Sequence, residues 1–572
     1  MIPSLVVDDL RSSLVEYLSS SFALADDDVR DALSQFLTDE SDGIFRGPFL
    51  RVRTPFVAVD DEWTSPLDWL PDNFRPFDHQ ARAFERLSTN DHDAQPTLVT
   101  TGTGSGKTEC FLMPLLDHCA REKAANRPGI KALILYPMNA LASDQAGRIA
   151  RLLAEDKRLA GLTAGLYIGE NGTHTSMGAD HLIDRREALR DDPPDILLTN
   201  YKMLDFLLLR REDRNLWACN EPDTLRFVVL DEFHTYDGAQ GTDVAMLLRR
   251  LGATLSMATG EHPLGSAVPV ATSATLGSGT GALDALRAFA SKVFGTEFPP
   301  ESIIGESRQT VEQACRPLQP LPVPDLDELF ALAEDDFESL AALFCTHPKN
   351  APPDWSDPVQ LGEVLLGHSL TRSVLAAVGE QPRTWSDTVA EVVRRAPEWE
   401  TALATDPRRV HEALGRFLAL LSIARRSEGG RVRPLFPIEV QLWVREVSRL
   451  LRRVDPVPAF RWKDSAAAEP DDEAPPLPGS ELPGVFCRRC GLSGWMALQS
   501  ELGGQMLVST SSIYQAAVIR SPRIRTMLRA DPADPAARWY DPSGRRLGKV
   551  ETDVGVGSVP VHATETEDDA KA

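Results

Sequence analysis

The chain has 572 residues, of which 42% are hydrophobic, and a formal net charge of −24 at pH 7. This length predicts several domains, and this apolar content can bury a core, which excludes wholesale disorder. No apolar run approaches the ~18 residues that span a bilayer, and the N-terminus lacks the basic segment of a secretory signal. Seven cysteines argue against a disulfide scaffold and predict a reducing, cytoplasmic setting. The lack of a long apolar run predicts no membrane association. The negative charge restricts any nucleic-acid contact to a local basic face.

Residues 1–70 mix short apolar stretches with Asp, Ser and Pro, and predict an N-terminal accessory region. Between residues 71 and 315, short β-rich runs alternate with segments of helical character. The predicted strands are Thr97–Thr100, Ala132–Tyr136, Asp195–Thr199, Phe227–Leu230 and Val268–Ala271, and the predicted helices include Cys110–Lys123 and Leu141–Glu155. Such alternation predicts an α/β fold with a parallel sheet and helices on both faces.

The first chemical motif is Thr-Gly-Thr-Gly-Ser-Gly-Lys-Thr at residues 101–108, between a predicted strand and a predicted helix. Backbone N–H groups of a Gly-rich loop at a helix N-terminus bind phosphate oxygens. Lys107 is expected to reach the β- and γ-phosphates, and Thr108 to ligate Mg²⁺. The strict pattern has Gly where this chain has Thr101, but the strand–loop–helix context favours phosphate binding over a chance Gly-rich turn. The expected nucleotide contacts in the loop are Thr103, Gly104, Ser105, Gly106, Lys107 and Thr108.

The second motif is Asp-Glu-Phe-His at residues 231–234, directly after the predicted strand Phe227–Leu230. An acidic pair at the carboxyl end of a buried parallel strand lies beside the ligand crevice in such folds. Asp231 is therefore expected to hold Mg²⁺, and Glu232 to polarise the attacking water. A solvated acidic strand end is the alternative, and the phosphate loop upstream in the same predicted sheet argues against it.

Together with Ser-Ala-Thr at residues 273–275, these motifs resemble the DEAD/DEAH-box superfamily 2 helicases. The resemblance covers residues ~74–290 and implies a RecA-like first motor lobe that binds ATP and Mg²⁺, with the activity of a helicase-type ATP hydrolase. Phe-Asp-His-Gln at residues 77–80 looks like the family's glutamine motif, which implies that Gln80 contacts adenine. In the family, residues at the positions of His234, Ser273 and Thr275 couple the nucleotide state to the grip on nucleic acid.

Residues 136–145 and 199–201 are similar to the family's motifs Ia and Ib, which contact the phosphate backbone without reading bases. The residues implied in these contacts are Pro137, Asn139, Thr199 and Asn200. DNA is the expected partner, with RNA as the alternative. The extension after His234 is similar to large bacterial Lhr-like and cysteine-module helicases, which include proteins of DNA repair and phage defence.

The family's second motor lobe carries a motif that supplies arginines to the γ-phosphate, and we find no such motif in this sequence. The arginines within residues 430–433 and 543–546 do not follow a comparable βα pattern. The sequence is therefore interpreted as the first lobe of a longer, split or degenerate helicase, with a second polypeptide that carries lobe two as a candidate partner. The alternative function is a nucleotide-dependent nucleic-acid-binding or scaffold subunit without turnover. The motif Ia and Ser-Ala-Thr matches argue against a P-loop kinase.

Beyond the proline-rich residues 316–325, the apolar spacing through residue 462 predicts a mainly helical accessory domain. The composition then predicts an acidic, Pro-rich linker at 463–484, a small cysteine-bearing segment at 485–550, and a disordered acidic tail at 551–572.

Two features of this C-terminal half are candidates for binding. Eleven arginines lie between Arg408 and Arg453, and Arg445 and Arg449 are expected to contact phosphates from one face of a helix, with a solvated or partner-binding helix face as the alternative. Cys487 and Cys490 have the spacing of half a zinc site. Because no later cysteine follows, a half site completed outside this chain, or by nothing, is favoured over Zn²⁺ bound within this chain alone.

Overall fold

The computed structural model describes residues 3–39, 41–60, 62–71, 74–102, 104–260, 262–274, 280–333, 336–346, 353–428, 431–463, 481–501, 504–549 and 557–564. The chain divides into two compact units. The central unit is Thr54–Gln313, and the terminal unit combines Met1–Arg53 with Ala314–Ala572. Among the described residues, no helix has both the length and the apolar character that crossing a membrane requires.

The terminal unit begins with α1 (Pro3–Ser21), α2 (Asp27–Thr38) and β1 (Phe45–Val52). The central unit contains α3 (Asp78–Leu87), β2 (Thr97–Thr100), α4 (Lys107–Ala124), β3 (Ala132–Tyr136), α5 (Asn139–Glu155), β4 (Ala164–Tyr167), α6 (Arg186–Asp191), β5 (Ile196–Asn200), α7 (Tyr201–Leu209), β6 (Phe227–Leu230), α8 (Gly238–Thr254), β7 (Val268–Ser273), α9 (Thr280–Phe294) and β8 (Ile303–Gly305).

The terminal unit then continues with short helices followed by strands. The helices are α10 (Val311–Ala314), which straddles the unit boundary, α11 (Leu326–Phe330), α12 (Phe337–Cys345), α13 (Pro358–Leu365), α14 (Ser369–Val378), α15 (Trp385–Val393), α16 (Glu400–Thr405), α17 (Pro407–Ile423) and α18 (Thr510–Val518). The strands are β9 (Arg383–Thr384), β10 (Arg425–Glu428), β11 (Arg431–Pro434), β12 (Ile438–Val444), β13 (Leu450–Arg453), β14 (Phe460–Trp462), β15 (Glu481–Phe486), β16 (Ser493–Gln499), β17 (Met506–Leu507), β18 (Ile524–Arg529), β19 (Arg538–Asp541), β20 (Arg546–Gly548) and β21 (Val559–Ala563).

The central unit is built on a seven-stranded sheet with the strand order β4-β5-β3-β6-β7-β2-β8. Every neighbouring pair in this sheet runs parallel. All side chains of β2, β3, β5, β6 and β7 are buried, as in a parallel sheet that helices cover on both faces. The predicted α/β fold with a parallel sheet is confirmed.

The sequence did not predict two strands of this sheet, β4 and β8, which form its two edges. β4 has the sequence Ala-Gly-Leu-Tyr and β8 has Ile-Ile-Gly. Short runs that contain Gly give a weak strand signal, because Gly has low β-propensity and no side chain to pack. The strands that the sequence predicted contain β-branched residues and are buried along their whole length.

Successive residues of β6 enter opposite cores, one on each face of the sheet. Val228 packs in a cluster that includes Leu248 of α8. Val229 packs in a second cluster with Leu115 of α4 and Ile149 of α5. Side chains alternate along a strand, so one buried strand anchors both helical layers. The loops at the carboxyl ends of these strands therefore stand on a rigid base.

The terminal unit has a helical part and a strand-rich part. The helices α11 to α17 confirm the predicted helical character up to Ile423. The prediction of helix beyond that residue is wrong, because Arg425–Trp462 contains strands β10 to β14. β12 pairs antiparallel with β1 from the other end of the chain. Its sequence Ile-Glu-Val-Gln-Leu-Trp-Val alternates with the period of a strand, although the spacing of its apolar residues also matched a helix.

An antiparallel sheet of nine strands occupies the C-terminal part of the same unit. It includes β21, which lies in the segment for which composition predicts a disordered tail. Val559 and Val561 of β21 are 2% and 0% exposed, and the strand pairs with β18 and β19. Burial of alternate valines orders this stretch. Most of the predicted linker, 464–480, and the tail residues 551–556 and 565–572 lie outside the described residues.

Candidate functional site

The Gly-rich loop connects β2 to α4 in the central unit. Gly104 and Gly106 have φ values of 79° and 77°, in the left-handed region that glycine adopts without steric cost. A Cβ at Gly106 would also meet Nε2 of Gln80, whose side chain would have to move aside. The N-terminal N–H groups of α4 have no intrahelical acceptor and provide an anion site. The predicted contact Thr103 lies outside the described residues.

Several hydrogen bonds hold this loop in place. Ser105 Oγ donates to Thr101 Oγ1 at 2.7 Å, so the threonine at the position where the strict motif has Gly takes part in the loop's structure. The backbone N–H of Gly102 donates to Glu306 Oε2 at 3.1 Å. His79 Nε2 lies 2.9 Å from the carbonyl oxygen of Ser105. Neither Glu306 nor His79 has a local sequence signal for this role, because each contacts the loop from a separate part of the chain.

His79 is fully buried, and burial lowers the pKa of its imidazole. The ring is therefore neutral at physiological pH, and the tautomer with hydrogen on Nε2 donates to Ser105 O. Its neighbour Gln80 accepts a hydrogen bond from Phe77 N through Oε1 at 3.0 Å and donates through Nε2 to Gly106 O at 3.3 Å. The glutamine motif thus lies directly against the phosphate loop, while adenine contact by Gln80 stays a prediction.

The acidic motif follows β6 and meets the phosphate loop. Lys107 Nζ lies 2.7 Å from Glu232 Oε1. Glu232 has φ 48° and ψ 48°, a left-handed conformation that is costly for a residue with a side chain and recurs at functional sites. The hydroxyl of Thr272 donates to the carboxylate of Asp231, and the backbone N–H of Glu232 donates to Thr272 Oγ1 at 3.3 Å. Strand β7 therefore positions both acidic residues.

Asp231 is 7% exposed, and burial raises the pKa of its carboxyl, although the Thr272 hydrogen bond and the Lys107 charge oppose this shift. A nearby cation strongly favours the ionised form of a buried carboxylate of this kind. The hydroxyl of Thr108, the second residue of α4, is the other predicted metal ligand. A carboxylate and a hydroxyl are hard oxygen donors of the type that Mg²⁺ accepts beside nucleotide phosphates. The residues present therefore fit Mg²⁺.

The predicted coupling residues His234 and Ser273 lie side by side. His234 Nδ1 is 3.3 Å from Ser273 Oγ and 3.4 Å from Glu232 Oε2. This proximity follows from the pairing of β6 with β7, whose carboxyl ends meet at one edge of the sheet. The third coupling residue, Thr275, lies outside the described residues.

The predicted nucleic-acid contacts of motifs Ia and Ib follow β3 and end β5, which are paired neighbours. Asn200 Nδ2 donates to Asn139 Oδ1 at 2.6 Å, and Asn200 Oδ1 caps α7 by accepting from Met203 N at 2.8 Å. Thr199 is fully buried, and its hydroxyl donates to Tyr167 O at 2.6 Å. The Thr199 hydroxyl is thus already bound to a backbone carbonyl, and phosphate contact by Thr199 stays a prediction.

The remaining predicted residue of motif Ia, Pro137, is half-buried between β3 and α5. The next residue, Met138, is 59% exposed. Asn139 is exposed as the first residue of α5. The surface at the end of β3 therefore combines the apolar side chains of Pro137 and Met138 with the amide of Asn139, which is paired with Asn200.

The arginines of the basic island belong to the terminal unit and do not form one helix face. Arg445 follows β12, with its Cζ 5.4 Å from the centre of the Trp462 ring. Arg449 ends a short 3₁₀ turn, with its Nε 3.2 Å from Glu446 Oε2. Arg452 is 2% exposed and is therefore no surface cation. Phosphate contact by Arg445 and Arg449 stays a prediction.

Cys487 and Cys490 lie in a turn after β15. Hydrogen bonds from the backbone N–H groups of Cys490 and Arg489 lower the pKa of the Cys487 thiol. Among the described residues, no cluster of three or more His, Cys, Asp or Glu side chains is arranged to hold a metal ion. The structure thus brings no third ligand from the described part of the chain to the predicted half zinc site.

Comparisons with known proteins agree with these motifs. Residues 77–281 match the family described as "DEAD/DEAH box helicase". The chain is 26% identical to Druantia protein DruE of Escherichia coli (strain UMEA 4076-1), over 79% of this chain and 30% of that protein. It is 29% identical to "Lhr helicase/ probable uracil glycosylase" of Mycolicibacterium smegmatis, over 33% of this chain and 12% of that protein. The chain thus spans about a third or less of the length of these relatives.

Among solved structures, a similar one is the "DUF1998 helicase MrfA bound to DNA and AMPPNP", with 20% identity and a TM-score of 0.34 over 54% of this chain and 39% of that chain. The family match confirms the resemblance to superfamily 2 helicases drawn from the motifs. Residues 77–281 are a DEAD/DEAH box helicase domain, and the chain is similar to Lhr.

Proposed function

We propose that this chain, whose residues 77–281 are a DEAD/DEAH box helicase domain, is the ATP-binding motor lobe of a DNA helicase or translocase. The observation that carries the proposal is the contact between Lys107 Nζ and Glu232 Oε1 at 2.7 Å. It joins the phosphate loop and the acidic motif in one site at the carboxyl edge of a parallel sheet. A phosphate loop alone indicates nucleotide binding, whereas the acidic pair beside it adds a means of hydrolysis.

Bound Mg²⁺-ATP supplies the transferable γ-phosphoryl group and a charge that stabilises its transfer. The loop N–H groups and Lys107 bind the phosphates, while Thr108 and Asp231 hold the cation. Phosphate oxygens replace the Glu232 carboxylate at Lys107, which frees Glu232 to accept the proton of the attacking water. His234 touches both Glu232 and Ser273, so it is placed to pass the state of the acidic motif to β7.

The nucleic-acid surface of this lobe is proposed to lie at the ends of β3 and β5. Asn139 is exposed, and its pairing with Asn200 orients both amides. Such groups, together with helix N-termini, bind phosphate oxygens and position a strand without base recognition. We assign the contact to Asn139 and Asn200, with Pro137 beside them, rather than to the buried hydroxyl of Thr199. DNA is preferred over RNA in this proposal.

Full turnover is proposed to require a second motor lobe supplied in trans, because no motif in this sequence offers arginines to the γ-phosphate. Without that lobe, the same site serves the alternative function of a nucleotide-dependent nucleic-acid-binding or scaffold subunit. The two functions differ in whether ATP is hydrolysed, and both require the nucleotide site described above.

A binding and turnover experiment tests the proposal. The purified full chain is titrated with a fluorescent ATP analogue in the presence of Mg²⁺, and phosphate release is then measured with single-stranded DNA, duplex DNA or single-stranded RNA. Nucleotide binding and stronger retention of DNA than RNA are expected. Failure to bind the analogue would exclude the motor-lobe function. Stronger retention of RNA than of DNA would identify RNA, rather than DNA, as the partner. Binding with no turnover, even after lobe two is added, would establish the alternative function.

A further inference from the structure

A cavity lies entirely within the terminal unit, whereas the nucleotide site belongs to the central unit. It has a volume of about 360 Å³ and lies between α2 and strands β13 to β16. Its walls are predominantly apolar, and include Leu33, Leu37, Phe460, Phe486 and Met496. Small-molecule sites in proteins are typically apolar cavities of roughly 300–1,000 Å³ with a few well-placed polar groups. The size and lining of this cavity match that description.

One charged side chain stands in this apolar wall. Arg452 of β13 lines the cavity and is 2% exposed. Its Nη1 donates to Ser493 Oγ at 2.8 Å, and its Cζ lies 4.5 Å from the centre of the Trp495 ring. Its Nε and Nη2 are buried and have no hydrogen-bond acceptor among the described residues. Nη1 of the guanidinium is thus held by a hydrogen bond, whereas the Nε and Nη2 donors lack an acceptor among the described residues.

The vacant donors have a specific chemical preference. Nε and Nη2 lie on one edge of the planar guanidinium and direct two roughly parallel N–H bonds. A carboxylate, with two oxygens in one plane, accepts such a pair in a bidentate arrangement. Buried donors without a partner are costly to a fold, so an acceptor at this edge removes a penalty that the protein otherwise carries.

Arg452 stays positively charged at neutral pH in spite of its burial. Burial, together with the positive charge of Arg529, lowers the pKa of Arg452 to about 10, although the negative charges of Asp26 and Asp28 oppose this shift. The guanidinium is therefore charged at neutral pH. Asp28 is already bound to Arg529, with Oδ2 and Nη1 2.8 Å apart, so this carboxylate is engaged elsewhere.

We propose that the cavity binds a small organic carboxylate with an apolar body, such as a medium-chain fatty acid, with its carboxylate on the Nε–Nη2 edge of Arg452. The apolar side chains of α2 and the sheet cover the body of the ligand. The proposal is independent of the nucleotide site, since every lining residue belongs to the terminal unit.

Calorimetric titration of the full chain tests this site, with decanoate kept below its micelle concentration as the probe. Decanol is the matched ligand, because it has the same apolar chain without a carboxylate. We expect decanoate to bind at least about ten-fold more tightly, since a charged hydrogen-bond pair in a buried site is worth that factor or more. Equal binding of the two ligands, or no binding of decanoate, would overturn the proposal.

Variants locate the binding in this cavity. Arg452→Met should remove the preference for decanoate over decanol, while the exposed Arg489→Met, the matched control, should keep it. If Arg452→Met does not fold, Leu33→Trp provides a second test, because it fills the cavity from α2 and leaves the guanidinium in place. Loss of decanoate binding in Leu33→Trp supports the site, and unchanged binding contradicts it.

A short apolar peptide with a free C-terminal carboxylate distinguishes a protein ligand from a small molecule. The peptide is compared with its C-terminal amide in the same titration. Tight binding of the peptide acid without binding of decanoate would overturn the small-molecule proposal in favour of a peptide terminus.

Discussion

Lys107 Nζ lies 2.7 Å from Glu232 Oε1, so the cation of the phosphate loop is paired with a carboxylate of the acidic motif. Their side chains are 14% and 27% exposed, which shields the pair from water and strengthens it. Lys107 begins α4, and Glu232 follows β6, so the pair spans the sheet edge between two separate motifs. In the proposed cycle, phosphate and carboxylate compete for the same ammonium group.

Lys107→Ala is expected to weaken Mg²⁺-ATP binding by about ten-fold or more, since the phosphates lose a charge-assisted contact. Titration with a fluorescent ATP analogue measures the change. Lys202→Ala, in α7 of the same unit, serves as the control and should bind as wild type does. If Lys107→Ala retains the affinity of the wild type, the phosphate-loop assignment is wrong.

Glu232→Gln is expected to keep or improve nucleotide affinity and to abolish hydrolysis. The amide is nearly isosteric but neither accepts a proton from water nor holds Lys107 as an ion pair. Phosphate release is measured with lobe two supplied in trans and nucleic acid present, and a loss of about 10²-fold or more is expected. The exposed Glu221→Gln is the matched control. Retained turnover in Glu232→Gln would assign the proton acceptor elsewhere.

The purified chain alone is expected to hydrolyse ATP very slowly, even with DNA present. Arginines that contact the γ-phosphate in related reactions contribute roughly 10³–10⁵ in rate, and this sequence offers none in a comparable motif. A steady-state phosphate-release assay, run with the Glu232→Gln protein as background, measures this rate. Robust DNA-stimulated turnover by the wild-type chain would mean that it contains its own γ-phosphate arginine.

Nucleic-acid binding is expected to be weak, sequence-tolerant and sensitive to salt, because the net charge of −24 opposes a polyanion at long range. If Arg445 and Arg449 contact phosphates, each adds about 0.7 to the slope of log affinity against log salt on single strands. Reversing both to Glu should then flatten the slope by about 1.4. Arg452 is left unchanged, since it is buried. An unchanged slope, equal to that of the Arg394→Glu control, would remove both arginines from the interface.

The stability of the terminal unit is expected to fall as the pH drops from about 6.5 towards 4. His368 is fully buried, accepts a hydrogen bond from Leu370 N, and has its pKa lowered to about 4 by burial. Between these pH values the unfolded chain binds a proton that the folded chain does not, so protonation favours unfolding. The full effect is about 3 kcal/mol, given about 1.4 kcal/mol per pKa unit.

Calorimetric unfolding between pH 4 and 7 measures this contribution. His368→Asn keeps an acceptor for the first turn of α14 but has no titrating group, so its stability should depend less on pH. The exposed His92→Asn should retain the pH dependence of the wild type. Identical pH profiles for His368→Asn and the wild type would contradict the proposed contribution.

The local sequence determined the core of the central unit and most of its nucleotide site. Strands such as β3 and β6 are continuous apolar runs because both faces of a parallel sheet are buried, and that burial is visible without any tertiary information. The phosphate loop has a fixed sequence pattern because a helix N-terminus and left-handed glycines are local properties of the chain. Asp231 and Glu232 were predictable for the same reason, since they directly follow such a strand.

Contacts between distant parts of the chain were not visible in the sequence. Glu306, which accepts a hydrogen bond from the phosphate loop, directly follows β8, and this three-residue strand is too short to give a pattern of its own. The sequence predicted a helix face for the arginine island, because the apolar residues at 440–450 fit both the helical and the strand period. The pairing of β12 with β1 shows that residues 438–444 form a strand. Arg452, which composition alone presents as a surface cation, is buried in β13, between its partner strands β14 and β15.

The assembly of the terminal unit from both ends of the chain was decided by tertiary structure alone. The indole N–H of Trp462 donates to Asp42 O, and the rings of Phe22 and Phe486 lie 5.0 Å apart. No local signal in residues 1–53 indicates a partner more than 380 positions away. The sequence determined which segments have apolar faces, whereas the folded chain determined which faces meet, because burial favours any complementary surface whatever its distance along the chain.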